Sequence, residues 1–250
     1  MQISKYSANG NDFVIFHTFI NIDRSELAKK LCNRFNGIGA DGLIVLLPHK
    51  KYDFEWQFYN ADGSTASMCG NGSRAAAHYA HIEGLAKNKM KFLTGAGVIS
   101  AVVDGEVVES ELTKPVIINN SFEEEGRVWF FADTGVPHLV TEVQDGDDFD
   151  KQLASRMRYK HNANVNFVTL KNNSLYVRTY ERGVENETMA CGTGMAACFL
   201  YMYLNKKVKE SSKVYPSSKE ELVLRISKEK LCLKGAVIKT FELVKNINFY

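Results

Sequence analysis

The 250-residue sequence has little of what membrane, secreted and nucleic-acid-binding proteins need. Its longest clearly apolar run is 195–204, far shorter than the ~20 residues that span a bilayer. The opening residues lack the apolar core of a secretory signal, and the formal net charge is only +2. Such a charge gives no single-sign field to attract a nucleic acid. We therefore expect no membrane partner and no nucleic-acid partner.

The number of cysteines is odd, with five residues at positions 32, 69, 191, 198 and 232. An odd count without a secretory signal disfavours a disulfide framework and favours reduced thiols in the cytoplasm. The sequence has no Cys-x-x-Cys or His-x-x-x-His spacing, so we expect no metal site. It also has no glycine-rich phosphate loop of either common type, so nucleotide binding has no support.

What the sequence does have is an internal repeat. Cys69-Gly70-Asn71-Gly72 opens an alanine-rich stretch, and Cys191-Gly192-Thr193-Gly194 opens another 122 residues later. Further segments repeat at similar offsets, Gly10 with Gly135 and Leu27 with Leu153. Repeats in the same order indicate a duplicated unit. We predict two pseudo-symmetric domains, 1–113 and 114–235, with residues 236–250 returning as a strand to the first.

Periodicity predicts an α+β fold of mostly antiparallel strands, each domain wrapped around a central helix. Aromatic and β-branched runs indicate strands, and Asp104-Gly105 suits the turn of a hairpin. Leu27, Leu31 and Phe35 share one face of a predicted helix that Gly37 ends. The predicted elements are strands at 13–16, 43–47 and 54–59, a hairpin at 101–108, a helix carrying Leu153 and Met157, and largely buried helices at 72–83 and 194–204.

Each Cys-Gly-x-Gly element places a thiol at the start of a predicted helix. The first N–H groups of a helix lack intrahelical partners, and the helix dipole adds roughly half a positive charge there. This environment favours a thiolate, and the amides that the glycines expose can hold a carboxylate. Because the element occurs once in each half, we expect Cys69 and Cys191 to face each other across a cleft between the domains.

Two like groups with exchangeable roles suit the inversion of a stereocentre by proton transfer. One group removes a proton from one face of the carbon, and the other delivers a proton to the opposite face. The carbanion of an amino acid needs an electron sink or several donors on its carboxylate, and the two helix starts offer donors. The alternative is a pair of buried cysteines beside packing glycines, which the duplication of the motif disfavours.

The residues around these thiols resemble the motifs of the diaminopimelate epimerase family. The segments that carry the resemblance are 10–13, 60–64, 69–74, 180–183 and 190–194. The resemblance implies an isomerase that interconverts LL- and meso-diaminopimelate, on the route to lysine and cell-wall peptide, without pyridoxal phosphate or metal. It also implies two similar α/β domains around a cleft, a small amino acid substrate and a homodimer.

Carried over residue by residue, the resemblance implies roles for individual side chains. Cys69 and Cys191 match the acid–base pair. His138 matches the residue that supports the first thiol, and Glu181 matches the residue that supports the second. The implied substrate contacts are Asn11, Asn60, Asn164, Glu181 and Arg182, with the amides of Gly70, Asn71, Gly192 and Thr193 on the reacting carboxylate.

Two positions depart from the family pattern, and two other functions remain open. Val136 stands where the family usually has asparagine, which removes one expected polar contact to the distal end of the substrate, and Gly42 stands where many members have glutamine. The first alternative is a related racemase of proline, hydroxyproline or histidine. The second is a phenazine-type or non-catalytic relative, which the presence of Cys69 and Cys191 disfavours.

Overall fold

Contacts within the chain divide it into two compact units, one of residues 1–110 with 235–250 and one of residues 111–234. The computed structural model describes residues 2–144, 148–227 and 230–244. The sequence-based boundaries after residues 113 and 235 lie close to those of the two units. Of the predicted returning strand at 236–250, residues 245–250 lie outside the described residues. Among the described residues, no helix is both long enough and apolar enough to span a bilayer.

The described part of the first unit contains two helices, α1 and α2, among eight strands. Its elements are β1 (Gln2–Ala8), β2 (Asn11–His17), α1 (Ser25–Cys32), β3 (Gly42–Leu47), β4 (Phe54–Asn60), α2 (Gly70–Ile82), β5 (Lys89–Thr94), β6 (Gly97–Asp104), β7 (Val107–Glu111) and β17 (Ile238–Val244). The predicted strands at 13–16, 43–47 and 54–59 and the hairpin at 101–108 are present. The predicted helix at 72–83 begins two residues earlier.

The second unit contains the helices α3 and α4. Its elements are β8 (Val116–Glu124), β9 (Arg127–Asp133), β10 (Pro137–Glu142), α3 (Lys151–His161), β11 (Asn164–Lys171), β12 (Ser174–Glu181), β13 (Asn186–Thr188), α4 (Gly192–Leu204), β14 (Ser211–Tyr215), β15 (Leu222–Ser227) and β16 (Lys230–Ala236). Leu153 and Met157 are buried on α3, as predicted. Helix α4 begins at Gly192, two residues before the predicted start.

The two units have the same strand order. In the first, the strands pair in the order β17-β1-β2-β3-β4-β5-β6-β7. In the second, the order is β8-β9-β10-β11-β12-β14-β15-β16, with β13 added to β12. The parallel pairs are β2–β3, β4–β5, β10–β11 and β12–β14. Parallel strands need a crossover connection, and here each crossover contains a helix. The predicted α+β fold with mostly antiparallel strands is confirmed.

Strand β3 shows why the sequence of the first unit contains a continuous apolar run. Every residue of Gly42–Leu47 is buried, and successive side chains point to opposite faces of the sheet. Leu43 and Val45 pack in the cluster that includes α1, whereas Ile44 and Leu46 pack in the cluster that includes α2. A strand covered on both faces needs apolar residues at every position.

The predicted helix through Phe35 is wrong at its C-terminal end. Helix α1 ends at Cys32, and Phe35 is 95% exposed. The side chain of Asn33 accepts hydrogen bonds from the amides of Phe35 and Asn36, at 2.9 and 2.8 Å. This Asx turn offers the backbone a partner other than the next helical carbonyl, so the helix stops.

Gly42, one of the two departures from the family pattern, is explained by packing. A Cβ atom at this position would lie 2.6 Å from the Phe58 ring and 2.9 Å from the carbonyl oxygen of Tyr59. Neither atom belongs to a flexible chain end, so a larger residue requires the adjacent strand β4 to shift. Close packing between β3 and β4 therefore requires a glycine at this position in this chain.

A partly buried ion cluster joins β1 and β2 in the first unit. The Asp12 carboxylate accepts a hydrogen bond from Lys5 at 2.7 Å and two from Arg34 at 2.9 and 3.0 Å. Burial alone would raise the pKa of Asp12, but the hydrogen bonds from Arg34 and Lys5 lower it to about 2. A carboxylate whose pKa is lower in the folded state stabilises the fold above its unfolded pKa of ~3.9 and loses that contribution as the pH falls.

We expect Asp12→Asn to lower the free energy of unfolding by about 2 kcal/mol at pH 7, since the variant keeps the shape but loses the charge. The difference from the parent protein is expected to shrink as the pH falls from about 4 towards 2. Urea denaturation at several pH values measures it. Glu26→Gln is the control, because Glu26 pairs with Lys29 in an exposed ion pair, expected to contribute under ~1 kcal/mol. Equal losses at pH 7 and pH 2 would contradict the prediction.

Candidate active site

Both predicted thiols are the N-cap residues of buried central helices. Cys69 precedes α2 and Cys191 precedes α4, each with extended backbone angles. The Cys69 sulfur accepts a hydrogen bond from the amide of Gly72 at 3.3 Å. Cys69 is half-buried, whereas Cys191 is only 9% exposed. Each sulfur therefore lies where the unpaired amides and the positive end of the helix dipole favour a negative charge.

In the first unit, Asn11 and Asn71 form one hydrogen-bonded pair beside Cys69. The Asn71 amide donates to the side-chain oxygen of Asn11 at 2.6 Å, and Asn11 donates to Asp41 at 3.1 Å. Asn71 also accepts a hydrogen bond from Arg74 at 2.6 Å. Because a guanidinium only donates and a carboxylate only accepts, the two ends of this chain fix the orientation of both amides.

Two other predicted residues of the first unit occupy different surroundings. Asn60 is exposed at the end of β4 and donates to the hydroxyl of Ser64 at 2.9 Å. Its backbone amide donates to the carbonyl oxygen of Ser64 at 2.8 Å, so the side chain closes a short loop. Gly70, the first residue of α2, is buried.

In the second unit, Cys191, Thr193 and His138 are in contact. The hydroxyl of Thr193 lies 3.5 Å from the Cys191 sulfur and 2.9 Å from Nε2 of His138. Burial lowers the pKa of His138 to about 3, and the nearby charge of Arg182 also lowers it. The imidazole is therefore neutral at pH 7. The prediction that His138 supports Cys69 concerns residues of two different units, and it stays a prediction.

Asn164, Glu181 and Arg182 lie together where β11 and β12 pair. The amide of Arg182 donates to the side chain of Asn164 at 2.7 Å, and Asn164 donates to the carbonyl oxygen of Pro137 at 3.3 Å. Glu181 accepts a hydrogen bond from Thr188 at 2.8 Å. The Arg182 guanidinium donates to a backbone carbonyl at 2.9 Å. These contacts hold the Asn164 side chain against the backbone. They also place it next to Glu181 and Arg182, which are predicted substrate contacts.

The remaining cysteines of the sequence are buried in the interior. Cys32, the last residue of α1, lies in the core, and burial raises its pKa to about 12. Cys198, two turns beyond Cys191 on α4, is fully buried, and burial raises its pKa well above the ordinary value. Buried thiols of this kind are poor nucleophiles and poor bases, so the prediction that Cys198 belongs to the core is confirmed.

The described residues include no candidate metal centre, and one groove lies away from the predicted site residues. Within 2–144, 148–227 and 230–244, no group of three or more His, Cys, Asp or Glu side chains could hold a metal ion. A groove of about 1050 Å³ in the second unit is lined by the Arg178–Glu187 ion pair and neighbouring side chains. None of the predicted site residues lines that groove.

Comparison with known proteins identifies the family. A family model described as "Diaminopimelate epimerase" matches residues 3–118 and 130–239. The chain belongs to the diaminopimelate epimerase family. A diaminopimelate epimerase of a Nitratiruptor species is 62% identical over 246 residues, which is 98% of each chain. The resemblance carried by the cysteine motifs is thereby confirmed, and the chain is an isomerase of the epimerase class.

Solved structures outside the diaminopimelate epimerase family share its fold. A phenazine biosynthesis protein of the PhzF family from Bacillus anthracis matches with a TM-score of 0.76 and 14% identity, over 98% of this chain and 99% of that one. A probable proline racemase from Agrobacterium radiobacter K84, with bound carbonate, also has a TM-score of 0.76, at 12% identity over 99% and 93%. At such identities the likeness establishes the fold alone.

Sequence reasoning assigned no role to three polar residues that lie in or near the diaminopimelate epimerase motifs. Arg74 is fully buried and donates to Asn9 and Asn71, at 2.6 Å each. Asn166 is fully buried beneath α4, and Asp41 receives the hydrogen bond from Asn11. The signal that could have revealed the first two is a polar residue inside an otherwise apolar helix or strand, because buried polar groups need specific partners.

Proposed function

We propose that this chain interconverts LL- and meso-diaminopimelate with two cysteines, of which one removes the α-proton and the other delivers a proton to the opposite face of the α-carbon. The observation that carries the proposal is the placement of Cys69 and Cys191 as N-caps of the central helices in two units with the same strand order. The 62% identity to the Nitratiruptor enzyme over nearly the whole chain supports the choice of substrate.

In the proposed reaction, one cysteine is a thiolate and the other a thiol at the start of each turnover. The thiolate removes the α-proton and becomes a thiol, and the carbanion takes the proton of the other cysteine, which becomes a thiolate. The amides of Gly70, Asn71, Gly192 and Thr193 stabilise the charge that develops on the substrate carboxylate. The reverse reaction exchanges the two roles.

The remaining site residues are proposed to bind and orient the substrate. Arg182 pairs with the distal carboxylate, because a guanidinium recognises carboxylates by paired hydrogen bonds. Asn11, Asn60 and Asn164 supply amide groups to the polar ends of the substrate. His138 and Glu181 are proposed to support the thiols, and both have side-chain partners in the second unit.

The wider setting is also part of the proposal. Two thiols with exchangeable acid and base forms complete the chemistry, so neither pyridoxal phosphate nor a metal is required. Reduced thiols are essential to this reaction, which favours the cytoplasm. The product serves lysine and cell-wall peptide synthesis, and the exposed apolar side chains of Val116, Ile117 and Ile118 on β8 are consistent with a homodimer.

Deuterium incorporation tests the proposed two-base reaction. In deuterated water, the delivering thiol exchanges its proton with solvent before substrate binds. Early product is therefore expected to carry deuterium at the α-carbon, while unreacted substrate stays largely protonated. NMR of single stereoisomers of diaminopimelate, proline, hydroxyproline and histidine measures both the label and the substrate choice. Mainly unlabelled early product would rule out the two-base scheme, and exchange only with proline or histidine would favour the alternative racemase.

Val136 is expected to affect binding of the distal end of the substrate without stopping the chemistry. Val136→Asn restores the usual polar residue, so KM for diaminopimelate should fall or stay the same with a similar kcat, because contacts far from the reacting carbon act mainly on uniform binding. Steady-state kinetics with both stereoisomers measure the two constants. A large fall in kcat at constant KM would mean that this position supports the neighbouring His138.

A further inference from the structure

Asn166 is a buried amide at the centre of the second unit, directly beneath the start of α4. Its side chain is fully buried. Its nitrogen donates to the carbonyl oxygen of Leu139 at 2.8 Å and lies 3.1 Å from Nδ1 of His138. Its oxygen accepts a hydrogen bond from the hydroxyl of Thr179 at 2.8 Å. All of these groups belong to β10, β11 and β12 of one unit.

These contacts determine which nitrogen of His138 carries the proton. The carbonyl oxygen of Leu139 only accepts, so the group that faces it is the NH₂ end of the Asn166 amide. The second N–H of that NH₂ group points at Nδ1 of His138, which must therefore be the unprotonated, accepting nitrogen. Burial lowers the pKa of His138 and keeps the imidazole neutral, so its single proton is on Nε2.

The hydrogen-bond direction then continues to the thiol. The Nε2–H of His138 donates to the hydroxyl oxygen of Thr193 at 2.9 Å. With its oxygen accepting from His138, the Thr193 hydroxyl directs its own proton to the Cys191 sulfur at 3.5 Å. The carbonyl oxygen of Thr193 accepts a hydrogen bond from Thr134 at 2.8 Å, which holds this residue in place.

We propose that Asn166 is a positioning residue which, by fixing the Nε2–H tautomer of His138, makes the Thr193 hydroxyl a hydrogen-bond donor to the Cys191 thiolate. The inference rests on the proposed function only in taking Cys191 as a reacting thiol. It makes Thr193 a catalytic residue through its side chain, beyond its backbone amide. It also gives His138 a role towards the thiol of its own unit in the substrate-free protein.

The comparison between the two thiols supports this assignment. In the first unit, the sulfur of Cys69 receives a backbone N–H from Gly72. In the described part of the second unit, the Cys191 side chain makes no equivalent cap to its helix, and the Thr193 hydroxyl contacts the sulfur instead. Each thiolate then has a donor of its own, from the backbone in one unit and from a side chain in the other.

The variants used to test the proposal leave the other charged and titratable groups near this chain of hydrogen bonds unchanged. Arg182 acts on His138 through its charge, and Cys198 interacts with Cys191 along α4. Neither residue is changed in the variants below. Shifts in the reactivity of Cys191 therefore report the donor and not a new charge.

The first experiment measures the tautomer directly in the substrate-free full chain. Nitrogen-15 NMR of labelled protein at pH 7 is expected to show His138 neutral, with a protonated Nε2 and an unprotonated Nδ1. An Nδ1–H tautomer or an imidazolium would overturn the proposal. This result is independent of the proposed reaction, whose failure would appear in the deuterium experiment.

The second experiment measures the alkylation rate of Cys191 by iodoacetamide at pH 7, with Cys69 as the internal control in the same sample. Thr193→Val keeps the shape and the backbone amide but removes the hydroxyl, and is expected to slow alkylation of Cys191 about tenfold. Thr193→Ser should restore a rate close to that of the parent protein. Mass spectrometry at low conversion gives both rates. Equal rates for the valine and serine variants would overturn the proposal.

Asn166→Ala tests the origin of the effect. It frees Nδ1 of His138, so NMR should detect both tautomers and alkylation of Cys191 should slow several-fold, with Cys69 unchanged. Thr169→Val is the matched control, because Thr169 is buried on the same strand and its hydroxyl has no partner among the described residues. An Asn166→Ala protein with one Nε2–H tautomer and unchanged alkylation would contradict the role of Asn166. If this variant does not fold, the proposal is still tested by the His138 tautomer of the parent protein and by the alkylation rates of Thr193→Val and Thr193→Ser.

Discussion

Replacing either Cys69 or Cys191 with alanine is expected to lower the rate of diaminopimelate epimerisation by at least ~10³-fold, near the scale of a general acid–base group. Every inversion needs a base on one face of the α-carbon and an acid on the other, so one remaining thiol cannot complete a turnover. The double variant is expected to lose little more than either single variant, because groups that act as a unit are strongly non-additive. Release of product stereoisomer, followed by chiral chromatography, measures the rates.

Cys32→Ala and Cys232→Ala are the matched controls for this prediction. Each removes a buried thiol, the first from the last residue of α1 and the second from β16. Neither lies at the start of a helix, so activity should stay within about twofold of the parent protein at a temperature where all variants are folded. Inversion by either single catalytic variant at more than about a tenth of the parent rate would contradict the two-thiol reaction.

Gly194→Ala is expected to destabilise the second unit by about 3 kcal/mol and to lower activity with it. A Cβ atom at this position would lie 2.3 Å from the side-chain oxygen of Asn166, 3.1 Å from the Thr179 hydroxyl and 3.3 Å from the His138 ring. The amide of Asn166 is held at both ends by hydrogen bonds, so it cannot move without leaving a buried polar group unpaired. Urea denaturation measures the loss, and circular dichroism monitors folding.

Gly72→Ala is the corresponding substitution in the first unit. There the nearest atoms to a Cβ are the end of the Ile44 side chain at 3.3 Å and Cys69 at 3.4–3.5 Å. Small adjustments relieve these contacts, and alanine gains helix propensity of about 0.5–1 kcal/mol, so the free energy of unfolding should change by less than ~1 kcal/mol. Equal destabilisation by the two substitutions would show that the contact with Asn166 is not the cause.

The parts of the site that depend on local sequence were predictable. An N-cap cysteine followed by a helix is encoded within a few residues, and its recurrence after 122 residues revealed the duplicated unit. The buried run of β3 and the hairpin at Gly105 are also local signals. The family model that matches most of the chain is the family that the cysteine motifs indicate.

The parts that depend on partners distant in the sequence were not predictable. Asn166 lies in the run Asn164-Val165-Asn166-Phe167, and only the tertiary fold brings His138 and Thr179 to its amide. Arg74 lies in an alanine-rich helix, and its role depends on Asn9, 65 residues earlier. At Phe35, an Asx turn formed by Asn33 overrode the helical pattern. Side-chain hydrogen bonds of this kind can end a helix even where the apolar periodicity of the sequence continues.

The pairing of β1 with both β2 and β17 has a consequence for biosynthesis. The second unit is continuous in sequence, from 111 to 234, whereas the first unit includes residues from 235 onward. A ribosome therefore synthesises every residue of the second unit before it makes β17. Until then β1 has an open edge, which is a template for pairing with other chains. Co-translational folding usually proceeds from the N-terminal domain, but here the half that is synthesised first is completed last.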